Sequence, residues 1–197
     1  MPPTPPRKIV LLDRTVTPPR PVDAEVVRDF PDSALSVVES LWAAERLNLP
    51  SAMGHTHWDW GRKAGTPIYE VIAVVAGGQV EGLAAVARSP APSKLAPGVA
   101  VAYLAYLETA PWNLKLHPTG GRFRGVGEAL LEEVVLLGYH RGNSGRVLLS
   151  SLPQAEDFYR RKGMTEISPI APGGLIEFEY TEAQSLAFLA TRGTTVR

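Results

Sequence analysis

The run VAVAYLAYLET, Val99–Thr109, is the feature that most restricts how this sequence can fold, because all but its last two residues are apolar. A continuous apolar run bounded by loop residues is typical of a strand that is buried on both faces. A second run of this kind, RVLLS, spans Arg146–Ser150. We therefore expect both segments in the interior of a sheet.

The segments around these two strands alternate between the periods of helices and strands. We expect a helix from about residue 33 to 47, a hairpin around Gly77-Gly78, a helix ending near His140, a helix over Pro153–Gly163 and a short helix from about Glu182 to Ala190. The stripe Leu35, Val38, Leu41 and Trp42 is predicted to be the buried face of the first helix, with Asp32 or Ser33 as its cap. The alternating segment GGLIEFEY is expected to close the sheet. This order predicts an α/β fold with a mixed sheet.

The length of 197 residues is suited to one domain. Seven of the 18 prolines lie in the first 21 residues, and proline-rich chain is usually extended. We therefore predict a proline-rich arm over 1–21, with a short strand near Lys8–Leu12, and a single domain over 22–197.

Composition narrows the classes of partner and chemistry. Twenty basic residues balance 20 acidic ones, so charge gives no reason to expect nucleic acid or an acidic membrane as a partner. No run approaches the roughly 18 apolar residues of a membrane span. There is no cysteine, which excludes disulfides, a thiolate nucleophile and cysteine metal ligands, and makes a cytoplasmic location the default expectation.

The stretch GGRFRGVGEALLEE, Gly120–Glu133, has the form of a phosphate-binding loop that opens a helix. A Walker A loop needs Lys-Ser/Thr after its last glycine, and these residues are missing here. A dinucleotide loop needs a third glycine, where this chain has Leu130. The pattern R-x-x-G-x-G, formed by Arg122, Gly125 and Gly127, fits better. Glycines let the backbone approach a ligand, and amides at a helix start attract anions. A tight strand-to-helix turn with no ligand remains an alternative.

A second motif follows the strand RVLLS. The segment AEDFYRRKGM, Ala155–Met164, has the pattern A-x-x-F-Y-x-x-x-G-M. With both motifs in register, the sequence resembles the GNAT superfamily of acyl-CoA-dependent N-acetyltransferases from about Ile68 to Tyr180. The resemblance implies a mostly antiparallel sheet flanked by helices, with the two central strands splayed apart. It also implies that acetyl-CoA is the co-substrate and that no metal is needed. The implied acceptor is an amine of a small molecule or of a protein, and relatives that pair as dimers make a homodimer possible for this chain.

The resemblance assigns the loop amides to the pyrophosphate of acetyl-CoA and the end of the preceding strand to its pantetheine arm. The residues implied for cofactor binding are Leu107, Thr109, Arg122, Phe123, Arg124, Gly125, Val126, Gly127, Glu128 and Ala129. In contrast to relatives, this chain has the insertion APWNLKLHPTGG between strand and loop, and it has Leu152 where many relatives have asparagine.

The resemblance also places Tyr159 beside the sulfur of CoA, where a phenol can protonate the leaving thiolate. The alternative for Tyr159 is packing on the buried helix face. Glu108 is the first candidate for the base that deprotonates the amine, and a salt-bridged carboxylate is its alternative. Candidates for the acceptor pocket are Trp112, Asn113, Trp58, Asp59 and Trp60. The predicted reaction is direct attack of the amine on the thioester. A non-catalytic acyl-CoA-binding or scaffolding domain is the alternative function.

Overall fold

The structure, a computed structural model, describes residues 4–49, 59–63, 65–118, 120–167 and 174–196. Within these ranges the chain forms ten strands and five α-helices. The strands are β1 Arg7–Asp13, β2 Arg20–Val27, β3 Tyr69–Ala76, β4 Gln79–Ala87, β5 Ala91–Pro92, β6 Ala100–Thr109, β7 Phe123–Arg124, β8 Val147–Ser151, β9 Thr165–Ile167 and β10 Ile176–Tyr180. The helices are α1 Asp32–Arg46, α2 Trp60–Lys63, α3 Val126–His140, α4 Glu156–Arg161 and α5 Glu182–Thr191.

Hydrogen bonding orders the strands β7-β1-β2-β3-β4-β6-β8-β10-β9, and β5 pairs with β6. The pairs β1–β2, β2–β3, β8–β10 and β9–β10 are antiparallel, whereas β6 and β8 are parallel. The prediction of an α/β fold with a mixed, mostly antiparallel sheet is confirmed.

The pairing of β6 with β8 is short. Its registered pairs run from Ala102↔Val147 to Leu104↔Leu149, while β6 continues to Thr109. Beyond Leu149, β8 stays paired with β10, because Ile176 lies opposite Ser151. The register therefore has the form predicted for splayed central strands.

The structure differs from the predictions for the cap of α1, for Leu41 and for the edge of the sheet. The cap of α1 is Pro31, with a φ of −67° that suits this position, and Asp32 is already helical. Leu41 is 55% exposed, because it lies off the face on which Leu35, Val38 and Trp42 are buried. The segment GGLIEFEY does not close the sheet, since the three-residue strand β9 pairs outside β10. A strand this short gives no readable alternation in the sequence.

The chain divides into two compact units, Met1–Ala85 with Tyr106–Leu130, and Val86–Ala105 with Leu131–Arg197. In the first unit, α1 and α2 pack their apolar side chains on β3 and β4. The core cluster of this unit consists of Leu35, Val38, Trp42, Trp60, Val71, Ala73, Leu83, Ala85 and Ala110.

The start of α3 lies directly on β4 in this first unit. A Cβ atom on Gly82 would come within 2.6 Å of Val126 Cγ1 and 3.0 Å of Leu130 Cδ1. Only glycine permits this approach, since real Cβ contacts are longer. Gly82 therefore fixes how deeply the first turns of α3 sit against the strand.

The second unit has an aromatic core. The ring centroids of Tyr180 and Phe188 are 5.7 Å apart, and those of Tyr159 and Phe178 are also 5.7 Å apart. Gly163, with a φ of +81°, ends the helical segment that carries the second sequence motif. None of the helices in the described ranges has the length and apolar character that crossing a bilayer requires.

Candidate functional site

The glycine-rich loop leads into the start of α3 as predicted. Gly125 has a φ of +101°, a conformation that residues with a side chain rarely adopt. The first hydrogen bond of the helix runs from the Ala129 N–H to the Gly125 carbonyl, at 2.8 Å. The N–H groups of Val126, Gly127 and Glu128 precede that donor and lie at the positive end of the helix dipole. Such a group of amides suits an anion.

Three of the residues predicted to bind the cofactor already use their backbone N–H within the chain. The Arg122 N–H donates to the Trp112 carbonyl at 2.8 Å, the Phe123 N–H donates to Asn113 Oδ1 at 2.8 Å, and the Ala129 N–H makes the helical bond described above. The predicted binding amides that lie on the first turn of α3, ahead of Ala129, are those of Val126, Gly127 and Glu128. A ligand at this helix start would meet the amides of one turn rather than those of the whole loop.

The loop starts beside the proline-rich arm. Strand β7 pairs with β1, with Leu12 opposite Arg124 and Asp13 opposite Phe123. The Arg14 N–H also donates to the Arg122 carbonyl at 2.8 Å. The arm therefore supplies a strand that borders the loop, and its backbone contributes to holding the loop in place.

Two arginines bring positive charge to this region. The Arg122 guanidinium lies 4.7 Å from the centre of the Phe123 ring and 3.4 Å from Gln79 Oε1. Arg124 is exposed. Positive charge near a helix N-terminus strengthens the attraction for a phosphate.

At the end of β6, Leu107, Glu108 and Thr109 are half-buried. The Glu108 carboxylate accepts from Arg46 Nη2 at 2.9 Å and from Trp60 Nε1 at 2.7 Å. Glu108 is thus a salt-bridged carboxylate, which was one of the two alternatives for this residue.

These contacts are part of a closed ring of four residues. Arg46 Nη1 also donates to Glu39 Oε1 at 3.1 Å, and the Trp60 N–H donates to Glu39 Oε2 at 3.0 Å. The Arg46 side chain is only 7% exposed. We name this set of Glu39, Arg46, Trp60 and Glu108 the carboxylate ring. It joins α1, α2 and the end of β6, three elements that are distant in the sequence.

The other pocket candidates near α2 have structural contacts. Trp60 is fully buried, and its ring meets that of Tyr106 edge-on at 6.4 Å. Asp59 caps α2, because its carboxylate accepts from the Arg62 N–H at 3.0 Å and from Arg62 Nε at 2.9 Å. Trp58 lies outside the described residues. Among the residues that the structure describes, no group of three or more His, Asp or Glu side chains could hold a metal ion.

Trp112 and Asn113, in the inserted segment, converge on a residue that the sequence interpretation missed. Trp112 Nε1 donates to Glu81 Oε2 at 2.6 Å, and Asn113 Nδ2 donates to the same oxygen at 2.8 Å. Glu81 is on β4 and is fully buried. Its one signal in the sequence is a charged residue inside the apolar run VEGLAAVA.

Burial raises the pKa of the Glu81 carboxyl, although the hydrogen bonds from Trp112 and Asn113 and the charge of Arg122 act in the opposite direction. Glu81 Oε1 is buried and has no hydrogen-bond partner among the described residues. Desolvation of the charged form dominates, so the folded protein favours the protonated acid relative to the unfolded chain.

This shift predicts how stability depends on pH. Between its pKa in the unfolded chain, about 4.3, and its raised pKa in the folded chain, Glu81 binds more protons when folded. The stability of the natural chain therefore falls through this interval as pH rises, whereas glutamine at position 81 does not titrate. We expect the stability of Glu81→Gln, relative to the natural chain, to increase as pH rises from about 4 to about 8. Urea denaturation at a series of pH values checks this, and a constant difference would contradict it.

Tyr159 belongs to the second unit and is 6% exposed. Its ring centroid is 5.1 Å from that of Phe158 and 5.7 Å from that of Phe178. Burial raises the pKa of the phenol well above its ordinary value. At neutral pH Tyr159 is therefore protonated and available as a hydrogen-bond donor.

No protein-family model matches the sequence, and no curated protein matches it. Solved structures do match. The crystal structure of a bacterial toxin has 14% identity and a TM-score of 0.56, with 98% of this chain and 99% of that chain covered. The GNAT domain of S. lividans PAT has 17% identity and a TM-score of 0.56, with 89% and 96% covered.

A mutant of the toxin AtaT, bound to acetyl-CoA and to the C-terminus of the antitoxin AtaR, has 13% identity and a TM-score of 0.50. The match covers 85% of this chain and 98% of that one. Another match, from Desulfovibrio desulfuricans, is described as a GNAT-family acetyltransferase, with 15% identity and a TM-score of 0.52, and covers 81% of this chain and 99% of that one. At these identities the likeness concerns the fold. The chain has the GNAT fold.

Proposed function

We propose that the chain transfers an acetyl group from acetyl-CoA to an amine. The observation that carries this proposal is the loop at the start of α3, where Gly125, with a φ of +101°, follows Arg122 and Arg124 and precedes the first three amides of the helix. The fold is shared with a toxin whose structure contains acetyl-CoA.

In this proposal the amides of Val126, Gly127 and Glu128 bind the pyrophosphate of acetyl-CoA. Arg122 and Arg124 add positive charge at the same end of the helix. The backbone of Leu107 and Thr109 binds the pantetheine arm as an added strand. The register supports this role, because β6 continues past its last pair with β8.

The reaction is direct attack by the neutral amine on the thioester carbonyl carbon. A carbon–nitrogen bond forms, the carbon–sulfur bond breaks, and CoA leaves as a thiolate. Without cysteine, no covalent cysteine intermediate is available. We assign the phenol of Tyr159 to donate its proton to the departing thiolate, and the proton that the nitrogen loses on becoming an amide then restores the phenol. A backbone amide near Thr109 is assigned to polarise the carbonyl.

Glu108 is the proposed acceptor of the proton that the ammonium group loses. Its carboxylate accepts from Arg46 and Trp60, and the proton is proposed to reach it through a water molecule. The acceptor is a small-molecule or protein amine, and Asp59, Trp60, Trp112, Asn113 and Trp58 are proposed to shape its pocket.

A non-catalytic acyl-CoA-binding domain is the second candidate function. The ion pair between Glu108 and Arg46 favours it, because a carboxylate held by an arginine is a weak base. Both functions require binding of acyl-CoA, and only the acetyltransferase releases free CoA with turnover.

Two measurements test the proposal. Acetyl-CoA at 100 times its Kd should stabilise the folded chain by about 2.7 kcal/mol, seen as a higher Tm. Release of free thiol from acetyl-CoA, followed across a panel of amines, reports turnover. Stabilisation without release would favour the second candidate, and no stabilisation would contradict both.

The Tyr159→Phe variant gives a sharper prediction. We expect it to lower kcat by about 100-fold, because a general acid contributes at least this much, while the KM for acetyl-CoA changes little. Tyr180→Phe is the matched control, since the Tyr180 hydroxyl donates to the Lys162 carbonyl at 2.5 Å in the same unit. The control should lose stability and keep its kcat. Equal kcat values for the two variants would remove Tyr159 from the mechanism.

A further inference from the structure

Glu81 occupies an unusual position for a carboxylate. It is fully buried on β4, next to Gly82, the residue on which the first turns of α3 rest. Its hydrogen bonds lead to Arg122 and Phe123, the first two residues of the loop motif, by two routes.

The first route passes through the side chain of Asn113. The Nδ2 of Asn113 donates both to Glu81 Oε2 at 2.8 Å and to the Glu81 carbonyl at 3.1 Å. Its other side-chain atom, Oδ1, accepts from the Phe123 N–H at 2.8 Å. The bonds to Glu81 therefore orient the amide so that its oxygen faces Phe123.

The second route passes through Trp112. Its indole Nε1 donates to Glu81 Oε2 at 2.6 Å, and its carbonyl accepts from the Arg122 N–H at 2.8 Å. The Glu81 carbonyl also accepts from the Ala110 N–H at 2.8 Å, which fixes the start of the inserted segment. One buried residue thus holds the insertion at three points, and the insertion holds Arg122 and Phe123.

We propose that Glu81 is a positioning residue that sets the loop at the start of α3 in the conformation that binds the phosphates of acyl-CoA. In this proposal the inserted segment holds the cofactor loop in place, in addition to its proposed role in the acceptor pocket. This inference rests on the proposed function, since it concerns the same loop.

The experiment combines amide hydrogen exchange with cofactor affinity. Glu81→Leu removes the acceptor and Glu81→Gln keeps an amide oxygen in its place. Asn113→Ala cuts the first route at a half-buried turn residue, so it carries the test if Glu81→Leu does not fold. We expect Glu81→Leu and Asn113→Ala to speed exchange of the Phe123 N–H and to raise the Kd of acetyl-CoA by about 10-fold, the value for one hydrogen bond. Glu81→Gln should remain within about 3-fold of the natural chain.

The control is Glu179→Leu, which removes a second fully buried carboxylate whose partners include Ser93, Lys94 and Arg146. It should lower the Tm and leave both the Phe123 exchange and the Kd unchanged. A purely structural role for Glu81 would make Glu81→Leu resemble this control, which would overturn the proposal. Unchanged Phe123 exchange in Asn113→Ala would overturn it as well.

Failure of the proposed function and failure of the positioning role of Glu81 give different results. If the natural chain does not bind acetyl-CoA, the proposed function is wrong, and the Phe123 exchange still decides whether Glu81 anchors the loop. If the natural chain binds acetyl-CoA and the variants loosen the loop with no change in Kd, only the positioning role is wrong.

Discussion

The Arg46→Ala variant is expected to lose about 3 to 5 kcal/mol of unfolding free energy, the range for removing one partner of a buried ion pair. Arg46 is 7% exposed, and it bonds to both Glu39 and Glu108. Without it, two carboxylates of the carboxylate ring remain close together in a poorly solvated place. Burial makes each charge costly, and their mutual repulsion adds to the loss.

Urea denaturation of the natural chain and the variant measures this loss. Arg62→Ala is the matched control, because the Arg62–Asp59 pair at 2.9 Å has the same chemistry with an Arg62 side chain that is 75% exposed. An exposed pair contributes about 1 kcal/mol at most. If Arg46→Ala loses no more unfolding free energy than Arg62→Ala, the carboxylate ring does not stabilise the fold, contrary to this prediction.

The Gly125→Val variant is expected to bind acetyl-CoA about 100-fold more weakly. A φ of +101° costs a residue with a side chain about 1 to 3 kcal/mol, or roughly 5- to 150-fold in an equilibrium, and branching at Cβ places valine toward the upper end. Space is not the limit, since a Cβ on Gly125 would be 3.7 Å from Leu11 Cδ2. The backbone relieves the strain by rotating, and the amides that follow it then point elsewhere.

Titration calorimetry with acetyl-CoA measures the change in affinity. Gly98→Val is the control, because Gly98 has a φ of +82° in open space before β6. It should show a similar loss of stability and an unchanged Kd. An unchanged Kd in Gly125→Val would mean that the loop conformation does not determine binding, and would count against the proposed phosphate site.

Local features of this fold could be predicted from the sequence. The hairpin at Gly77-Gly78, the end of α3 at His140 and the apolar strands β6 and β8 follow from periodicity and turn residues. Each of these depends on neighbours along the chain, so the information is present in a short window.

Contacts between distant segments could not be predicted in this way. Arg46 and Glu108 are 62 residues apart, and Glu81 and Trp112 are 31 residues apart. Nothing near Glu108 distinguishes an ion-paired carboxylate from a catalytic one. Likewise, Trp112 and Asn113 lie on an insertion, and nothing near them in the sequence indicates that both donate hydrogen bonds to the buried Glu81.

The pairing of β1 with β7 has a consequence for how the chain reaches its folded state. Leu12 and Arg124 are far apart in the sequence, and bringing such segments together has a large entropic cost before any contact compensates it. The hairpin of β1 and β2 can form early in synthesis. One edge of β1 then stays unpaired until β7, which is synthesised much later, has been made. Until β7 arrives, that edge is open to pairing with other chains. Dilution or chaperone binding should therefore reduce aggregation most in the interval between the synthesis of β1 and that of β7.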